Sequence, residues 1–478
     1  MKRIALVSLL FSLLVIWPVA ADCPNGTSGD DIIVCDTDRS DQLQASGGDD
    51  HVTINDGVTV DNNVLGGNGD DTLTNNGTIT GQLGGQNGND SITNNGTVGG
   101  NMNGGAGDDT IHNHGTVNDI NAGDGRDTVV NTGDANSING NGSDDTIVNS
   151  GTVANNIQGD EGNDNIINEE TGVIGRDLNG GTGDDTLTNH GVIQRSMFGS
   201  DGNDYLVNTG EIKHDMNGGE GHDTLINSGF IQNDLEGGPG NDKLVHTGIA
   251  NTDVEGNAGD DTLIIDGEVR GTVYGDSSSG NSSLDGDDTF VLKNGAHGGP
   301  DNYLLIDGQG GFNTLIFKFE TKDQNEYDQL ISDFATALAS TSNDGTGTLT
   351  FRGQTFAWMN IQQLENLIRL IIEHTGEKPE DVLREIVVSG GIRDGRINYM
   401  DLAAPAALYC TEDGGVAVWA IRDGEGYHLY SVSGADLNSG SDSVFGDGNM
   451  VLTVFSDGNV LFTAPGYSFS FSVGTCSR

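Results

Sequence analysis

The stretch Met102-Asn103-Gly104-Gly105-Ala106-Gly107-Asp108-Asp109-Thr110-Ile111-His112-Asn113-His114-Gly115-Thr116-Val117 decides the fold. It holds one apolar residue, then a glycine-rich turn that ends in Asp109. A short strand follows, with Ile111 pointing one way. Asn113-His114-Gly115 makes a second turn, and Thr116-Val117 begins another strand. The same anatomy then starts again.

Outward from this unit, the Asp that closes the glycine-rich turn recurs at Asp71, Asp90, Asp109, Asp127, Asp145, Asp164, Asp185, Asp204, Asp223, Asp242 and Asp261. Successive members are 18, 19 or 21 residues apart. Degraded copies flank them at Asp31, Asp50 and Asp288. Two residues after each marker stands an aliphatic, from Leu73 through Ile111 and Leu187 to Leu263. Four residues after it stands an Asn, from Asn75 to Asn227; His246 and Ile265 end that row. A second aliphatic row runs through Ile79, Val98, Val117, Val153, Ile193 and Ile231, and a third through Leu83, Met102, Ile138, Leu178, Met216 and Leu235.

Three aliphatic rows and two turns in about 19 residues describe one coil of a right-handed parallel β-solenoid. Each strand is too short to stand alone. Stacking at about 4.8 Å per coil pairs its backbone with the coils above and below. The Asn row stacks as a side-chain ladder, or supplies turn residues through Asn-x-Gly; the sequence leaves both open. The two extra residues in Asn168-Glu169-Glu170-Thr171-Gly172 read as a bulge in one coil.

This architecture explains the composition. Of 478 residues, 76 are Gly, only 34 % are apolar and 6 % aromatic, too few for one large globular core. A thin core of stacked rows needs no more. The net charge of −52 excludes nucleic acid as an ordinary partner and suits cations.

The Asp row itself calls for a cation. Stacked Asp residues about 4.8 Å apart repel by roughly 1 kcal/mol in water, and by roughly 3.5 kcal/mol at an effective dielectric near 20. Summed over the row, this rivals the stability of a whole domain. Carboxylate and carbonyl oxygens at a flexible turn are ligands for Ca²⁺. No His/Cys cluster suggests Zn²⁺. The candidate ligands are the row from Asp71 to Asp261, with the turn glycines Gly104 and Gly107, Gly180 and Gly183, Gly218 and Gly221, Gly237 and Gly240.

Here the chain resembles the RTX, or hemolysin-type, calcium-binding repeats. Gly104 to His112 matches the nonapeptide G-G-x-G-x-D-x-U-x at every fixed position, as do Gly180 to Thr188, Gly218 to Ile226 and Gly237 to Val245. Looser copies are Gly85 to Thr93, Gly159 to Ile167, Gly199 to Val207 and Gly256 to Ile264. The resemblance implies Ca²⁺ between stacked turns, held by the Asp and the turn carbonyls. RTX arrays usually place one nonapeptide directly after another. Here only every other half-coil has the motif, so calcium is expected along one edge, roughly one ion per coil. Arg126, His222 and Ser143 depart from the motif, and their copies are expected to bind less well. The Asn-Gly-Thr-Ile half-repeat is also similar to stretches of bacterial surface adhesins.

Residues 1–21 read as a secretory signal: Lys2 and Arg3, an apolar run from Ile4 to Trp17, and a small-residue site at Val19-Ala20-Ala21. Four cysteines in an exported chain imply disulfides, paired locally as Cys23–Cys35 and Cys410–Cys476. Residues 22–300 form the solenoid. Residues 301–375 read as a small α/β cap, with strands at Tyr303 to Ile306, Thr314 to Phe319 and Thr348 to Trp358, and helices at Asn325 to Ala339 and Ile361 to Ile372. Residues 376–405 read as a connector, with Lys378-Pro379 opening a short helix through Ile386. Residues 406–478 read as a β-rich module of five strands.

The expected function is that of a secreted calcium-binding repeat protein, not an enzyme. It folds on Ca²⁺ outside the cell and acts as a structural, surface or adhesion-type binder of a cell-surface or polysaccharide partner, without spanning a membrane after signal cleavage. No G-x-S-x-G, H-E-x-x-H or phosphate-binding loop occurs. Two alternatives stand beside it. One is a polysaccharide-active lyase or epimerase on a parallel β-helix, against which the scarcity of Arg and Lys speaks. The other is ice binding by the row Thr72, Thr110, Thr128, Thr146, Thr186, Thr224 and Thr262, which Asn165, Tyr205 and Lys243 interrupt.

Overall fold

The computed structural model describes residues 23–277, 286–342 and 345–370, and beyond them the strand segments between 384 and 472. Two compact units divide at Gly142 and Ser143. Both are built from the coil expected of the sequence.

In the first unit each coil contributes one strand to each of three parallel sheets. The strand after the Asp turn stacks as Ile32–Cys35, His51–Ile54, Thr72–Asn75, Ser91–Asn94, Thr110–Asn113 and Thr128–Asn131. The two-residue strand after the Asn turn stacks from Thr59–Val60 to Asp134–Ala135. The strand that enters the glycine-rich turn stacks from Leu43–Gly47 to Ser137–Gly142. Register is in phase throughout: Ile111 faces Ile92 and Val129, and Met102 faces Leu83 and Ile120. Alternation along each strand turns these aliphatics inward, where Leu73, Ile92, Ile111, Ile79 and Leu83 are buried. One such side chain contributes about 1.5–3 kcal/mol on burial. The rows therefore make a core from few apolar residues. Cys23 and Cys35 are disulfide-bonded at the start of this unit.

The second unit repeats the three sheets from Thr146–Asn149, Thr152–Val153 and Ile157–Glu161 onward. The bulge falls where expected: Gly172 closes a turn onto the Glu169 carbonyl, and Asn168 reaches the Gly172 carbonyl across the two extra residues. Tyr303–Asp307 and Thr314–Lys318 continue the stacking in parallel with Thr272–Tyr274 and Thr289–Lys293. The helix Gln324–Ser340 follows. Asp323 caps it by accepting from the Asn325 and Glu326 N–H groups. Its buried face carries Tyr327, Leu330, Phe334 and Leu338, and Phe334 meets Phe317 edge-on at 5.9 Å.

Two expectations are corrected. Residues 361–372 read as helical because Ile361, Leu364 and Ile368 recur at helical spacing, and all three are indeed buried. Gln363–Leu370 is nevertheless a strand, because the stacked Thr314–Lys318 offers it a parallel ladder whose pairing outweighs the short-range period. The connector holds the strand Arg384–Arg393, antiparallel to Gln363–Leu370, where the helix through Ile386 was expected. Further on, the expected strands of the last module appear as Ala417–Arg422, Tyr427–Val432, Val451–Val454, Asn459–Ala464 and Tyr467–Ser472, with Ser443–Gly446 in addition. The signal segment and the Cys410–Cys476 pair lie outside the described residues.

Candidate metal row

The glycine-rich turn brings its terminal Asp inward. Asp71, Asp90 and Asp109 in the first unit are at most 2 % exposed, and Asp164, Asp185, Asp204, Asp223, Asp242 and Asp261 in the second at most 3 %. Asp127 and Asp145 are buried as well, and so are Asp50 and Asp288, which the sequence marks only as degraded copies. The spacing of Asp50 from Asp71, equal to the 21 residues between Asp164 and Asp185, was the available signal.

Along each unit, one carboxylate oxygen accepts from the Asp of the coil before. The backbone N–H of Asp71 donates to Oδ1 of Asp90, and that of Asp90 to Oδ1 of Asp109, each at 2.7 Å. In the second unit the same bond joins Asp164 to Asp185, Asp185 to Asp204, Asp204 to Asp223, Asp223 to Asp242 and Asp242 to Asp261. The other oxygen, Oδ2, of Asp71, Asp90, Asp109, Asp164, Asp185, Asp204, Asp223, Asp242, Asp261 and Asp288 is buried with no hydrogen-bond partner.

The surroundings of Oδ2 are oxygen-rich. Five residues before Asp71, Asp90, Asp109, Asp164, Asp185, Asp204, Asp223, Asp242 and Asp261 stands a Gly whose open side faces that oxygen. A Cβ on Gly180 would lie 2.2 Å from Asp185 Oδ2 and 2.8 Å from the Gly199 carbonyl oxygen of the next coil. On Gly256 it would lie 2.3 Å from Asp261 Oδ2 and 2.4 Å from the Gly275 carbonyl. Gly104, Gly218 and Gly237 repeat this cradle, with the carbonyls of Ala122, Gly237 and Gly256. Gly107, Gly183, Gly221 and Gly240 have a different task. They hold φ between +123° and +148° and press against the carbonyl of the coil before, so they shape the turn. Ala45 and Ala122 stand where Asp50 and Asp127 would have the cradle glycine, and they put a methyl there.

A buried carboxylate oxygen facing carbonyl oxygens, with no donor between them, is electrostatically unfavourable unless a proton or a cation intervenes. Burial, helped by neighbouring carboxylates and opposed by the backbone hydrogen bond to Oδ1, lifts Asp71, Asp109, Asp185, Asp204 and Asp242 to about 7, and Asp261 to about 9. Hard oxygen ligands without nitrogen or sulfur fit Ca²⁺. Among the described residues no three His, Cys, Asp or Glu side chains gather at one point.

The opposite edge is filled by the protein itself. Asn75 donates to Asn94 Oδ1, and Asn94 to Asn113 Oδ1. Asn168, Asn189, Asn208 and Asn227 continue the pattern in the second unit. The same Oδ1 atoms accept from the Gly two residues on, as Asn75 does from Gly77. The Asn row is thus both ladder and turn. His246 closes it by pairing with Asn227 and with the Glu268 carbonyl.

No family model matches the chain, and no curated protein matches it. Among solved structures, the chain is similar to a hyperactive, Ca²⁺-dependent, β-helical antifreeze protein from an Antarctic bacterium. That match has 19 % identity and a TM-score of 0.40, and covers 74 % of this chain and 93 % of that one. At this level the likeness assigns no role to any residue here.

Proposed function

We propose that the chain is a calcium-binding solenoid, with roughly one ion per coil along the Asp edge. The carrying observation is the row of buried Oδ2 atoms without a donor, most of them sharing the open side of a cradle glycine with a carbonyl oxygen of the next coil. Asp71, Asp90, Asp109, Asp164, Asp185, Asp204, Asp223, Asp242, Asp261 and Asp288 would hold the ions with the turn carbonyls. Bound calcium supplies the positive charge that keeps the stacked carboxylates together. Folding is then coupled to export: the metal-poor cell interior leaves the row self-repelling, and a calcium-rich exterior closes it. The secretory reading of residues 1–21 supports this order. Among the described residues no helix is long and apolar enough to cross a membrane. In this reading the protein is a non-catalytic structural or adhesion-type binder. The test is circular dichroism of residues 22–478 titrated with Ca²⁺ after chelation, with Mg²⁺ as control. A calcium-specific gain of β signal supports the proposal; a fully folded, calcium-indifferent chain overturns it.

A second reading has one observation in its favour. The outward residues beside the Asp turn stand in register, Thr72, Ser91, Thr110 and Thr128 in the first unit. In the second, Thr224 and Thr262 flank Lys243, and Tyr205 is 43 % exposed. Such hydroxyl rows could order ice-like water. A freezing point equal to the melting point in a calcium-loaded solution removes this reading.

A further inference from the structure

The Asp row does not end in open sites. In the first unit the row begins at Asp31, whose N–H donates to Asp50 Oδ1 as those of Asp50, Asp71, Asp90 and Asp109 do to their neighbours. Yet Oδ2 of Asp31 is satisfied: the backbone N–H and the hydroxyl of Thr27 both donate to it, the hydroxyl at 2.9 Å. In the second unit the row runs past Asp288 to Asn313. The N–H of Asp288 donates to Asn313 Oδ1 at 2.8 Å, so Asn313 takes the next place in register. Its Nδ2 then stands where the earlier coils place Oδ2. A Cβ on Gly308 would lie 2.5 Å from that nitrogen, just as one on Gly275 would lie 2.0 Å from Asp288 Oδ2.

The amide nitrogen donates into the carbonyl cradle. Its acceptors are the Gly308 carbonyl at 2.6 Å, the Gly310 carbonyl, and the Asn360 carbonyl at 3.3 Å. The opposite amide orientation would aim an oxygen at three carbonyl oxygens and lose the bond from Asp288, so the chemistry fixes which atom is which. The cradle that elsewhere faces a bare carboxylate oxygen is here filled by N–H donors.

We propose that Asn313 is a metal-independent terminator of the calcium row, its carboxamide standing in for the cation, with Thr27 doing the same for Asp31 at the other end. This rests on the calcium reading of the row. Three consequences follow from it. Calcium loading stops at Asp288, the coil of Asn313 closes without metal, and a single oxygen-for-nitrogen exchange converts one kind of coil into the other.

The test counts calcium bound per full chain, by equilibrium dialysis and elemental analysis, in the native protein, Asn313→Asp and the reciprocal Asp204→Asn. Asn313→Asp is expected to bind one ion more than the native chain and to melt at lower temperature in chelator. Asp204→Asn is expected to bind one ion fewer and, because its new amide fills the Gly199 cradle, to melt at higher temperature in chelator than the native chain. An Asn313→Asp variant that folds only with calcium also supports the proposal. Unchanged ion counts in Asn313→Asp overturn it while leaving the calcium row intact. If that variant folds in neither condition, Asp204→Asn decides: no gain of stability in chelator overturns the proposal. A native chain that binds no calcium overturns the calcium reading and the terminator with it.

Discussion

Asp185 and Asp204 stand one coil apart, joined by a 2.7 Å hydrogen bond from the Asp185 N–H to Asp204 Oδ1, while Oδ2 of each is buried without a donor. One oxygen of each of these two carboxylates thus belongs to the fold, and the other is the ligand atom of the proposed ion. The bond repeats along the row, so loss of one carboxylate is felt by the turn before it.

The first consequence is a pH dependence that changes sign with calcium. Without metal, burial lifts Asp185 and Asp204 to about 7 and Asp90 to about 6. A carboxyl lifted in the folded state keeps its proton longer there than in the unfolded chain. Its stabilising contribution is complete below the usual carboxylate range and is lost as pH rises through about 7. In chelator the melting temperature should therefore fall between about pH 5 and about pH 7.5. Excess calcium favours the ionised form and should reverse the trend. Calorimetry at the two pH values checks this; the same slope with and without calcium would contradict it.

Gly180→Ala places a methyl 2.2 Å from Asp185 Oδ2. The backbone tolerates such a methyl, since Ala122 occupies the corresponding place before Asp127. The variant should fold, bind one calcium fewer, and lose about 1–3 kcal/mol of stability in calcium. An undiminished ion count measured by dialysis would show that the cradle is not the ligand site.

Asn189→Ala cuts the other edge. It removes the donor to Asn208 Oδ1 at 2.8 Å and leaves the Asn168 amide with the Gly172 carbonyl but without its ladder acceptor. The cost should be about 2–4 kcal/mol in denaturant unfolding. The calcium count should not change, because the Asn edge closes through its own bonds. A loss of calcium equal to that of Asp185→Asn would refute the separation of the two edges.

At the helix, Arg352 holds Glu326 through a paired contact, Nε to Oε1 at 2.6 Å and Nη2 to Oε2 at 3.0 Å. Hydrogen bonds from Arg352 and Thr321 draw Glu326 down to about 2. This contribution is present above the usual carboxylate range and is lost as pH falls through about 2, opposite in sign to the metal-free Asp row. Both groups are partly exposed, so Arg352→Ala should cost no more than about 1 kcal/mol. Calorimetry near neutral pH checks the size, and a far larger loss would mean that the pair anchors the helix.

Much of this was legible because a solenoid writes its register into a period. The spacing of Ile92, Ile111 and Val129 gave the inward row, and Asn94-Asn95-Gly96 gave the turn that the ladder shares. The cradle was legible only in part. The motif marks Gly104 and Gly107 alike, yet Gly104 opens onto Asp109 while Gly107 bends the chain, a distinction that only the stacked neighbours reveal. Asn313 escaped notice because it pairs through Asn360 and Gln362, nearly 50 residues away. The helical spacing over Gln363–Leu370 misleads for a related reason: a local period carries no information about a ladder offered by a distant coil.

The most direct test is the anomalous difference map of crystals grown in calcium. The account predicts one peak beside Oδ2 of each proposed ligand from Asp71 to Asp109 and from Asp164 to Asp288, about 2.3–2.6 Å from that oxygen and from a turn carbonyl. Peaks should be absent at the coils of Ala45 and Ala122, at Asp31 and Asn313, and along the Asn edge. A row of Oδ2 atoms bonded to water alone, or calcium bound only along the Asn edge, would contradict it.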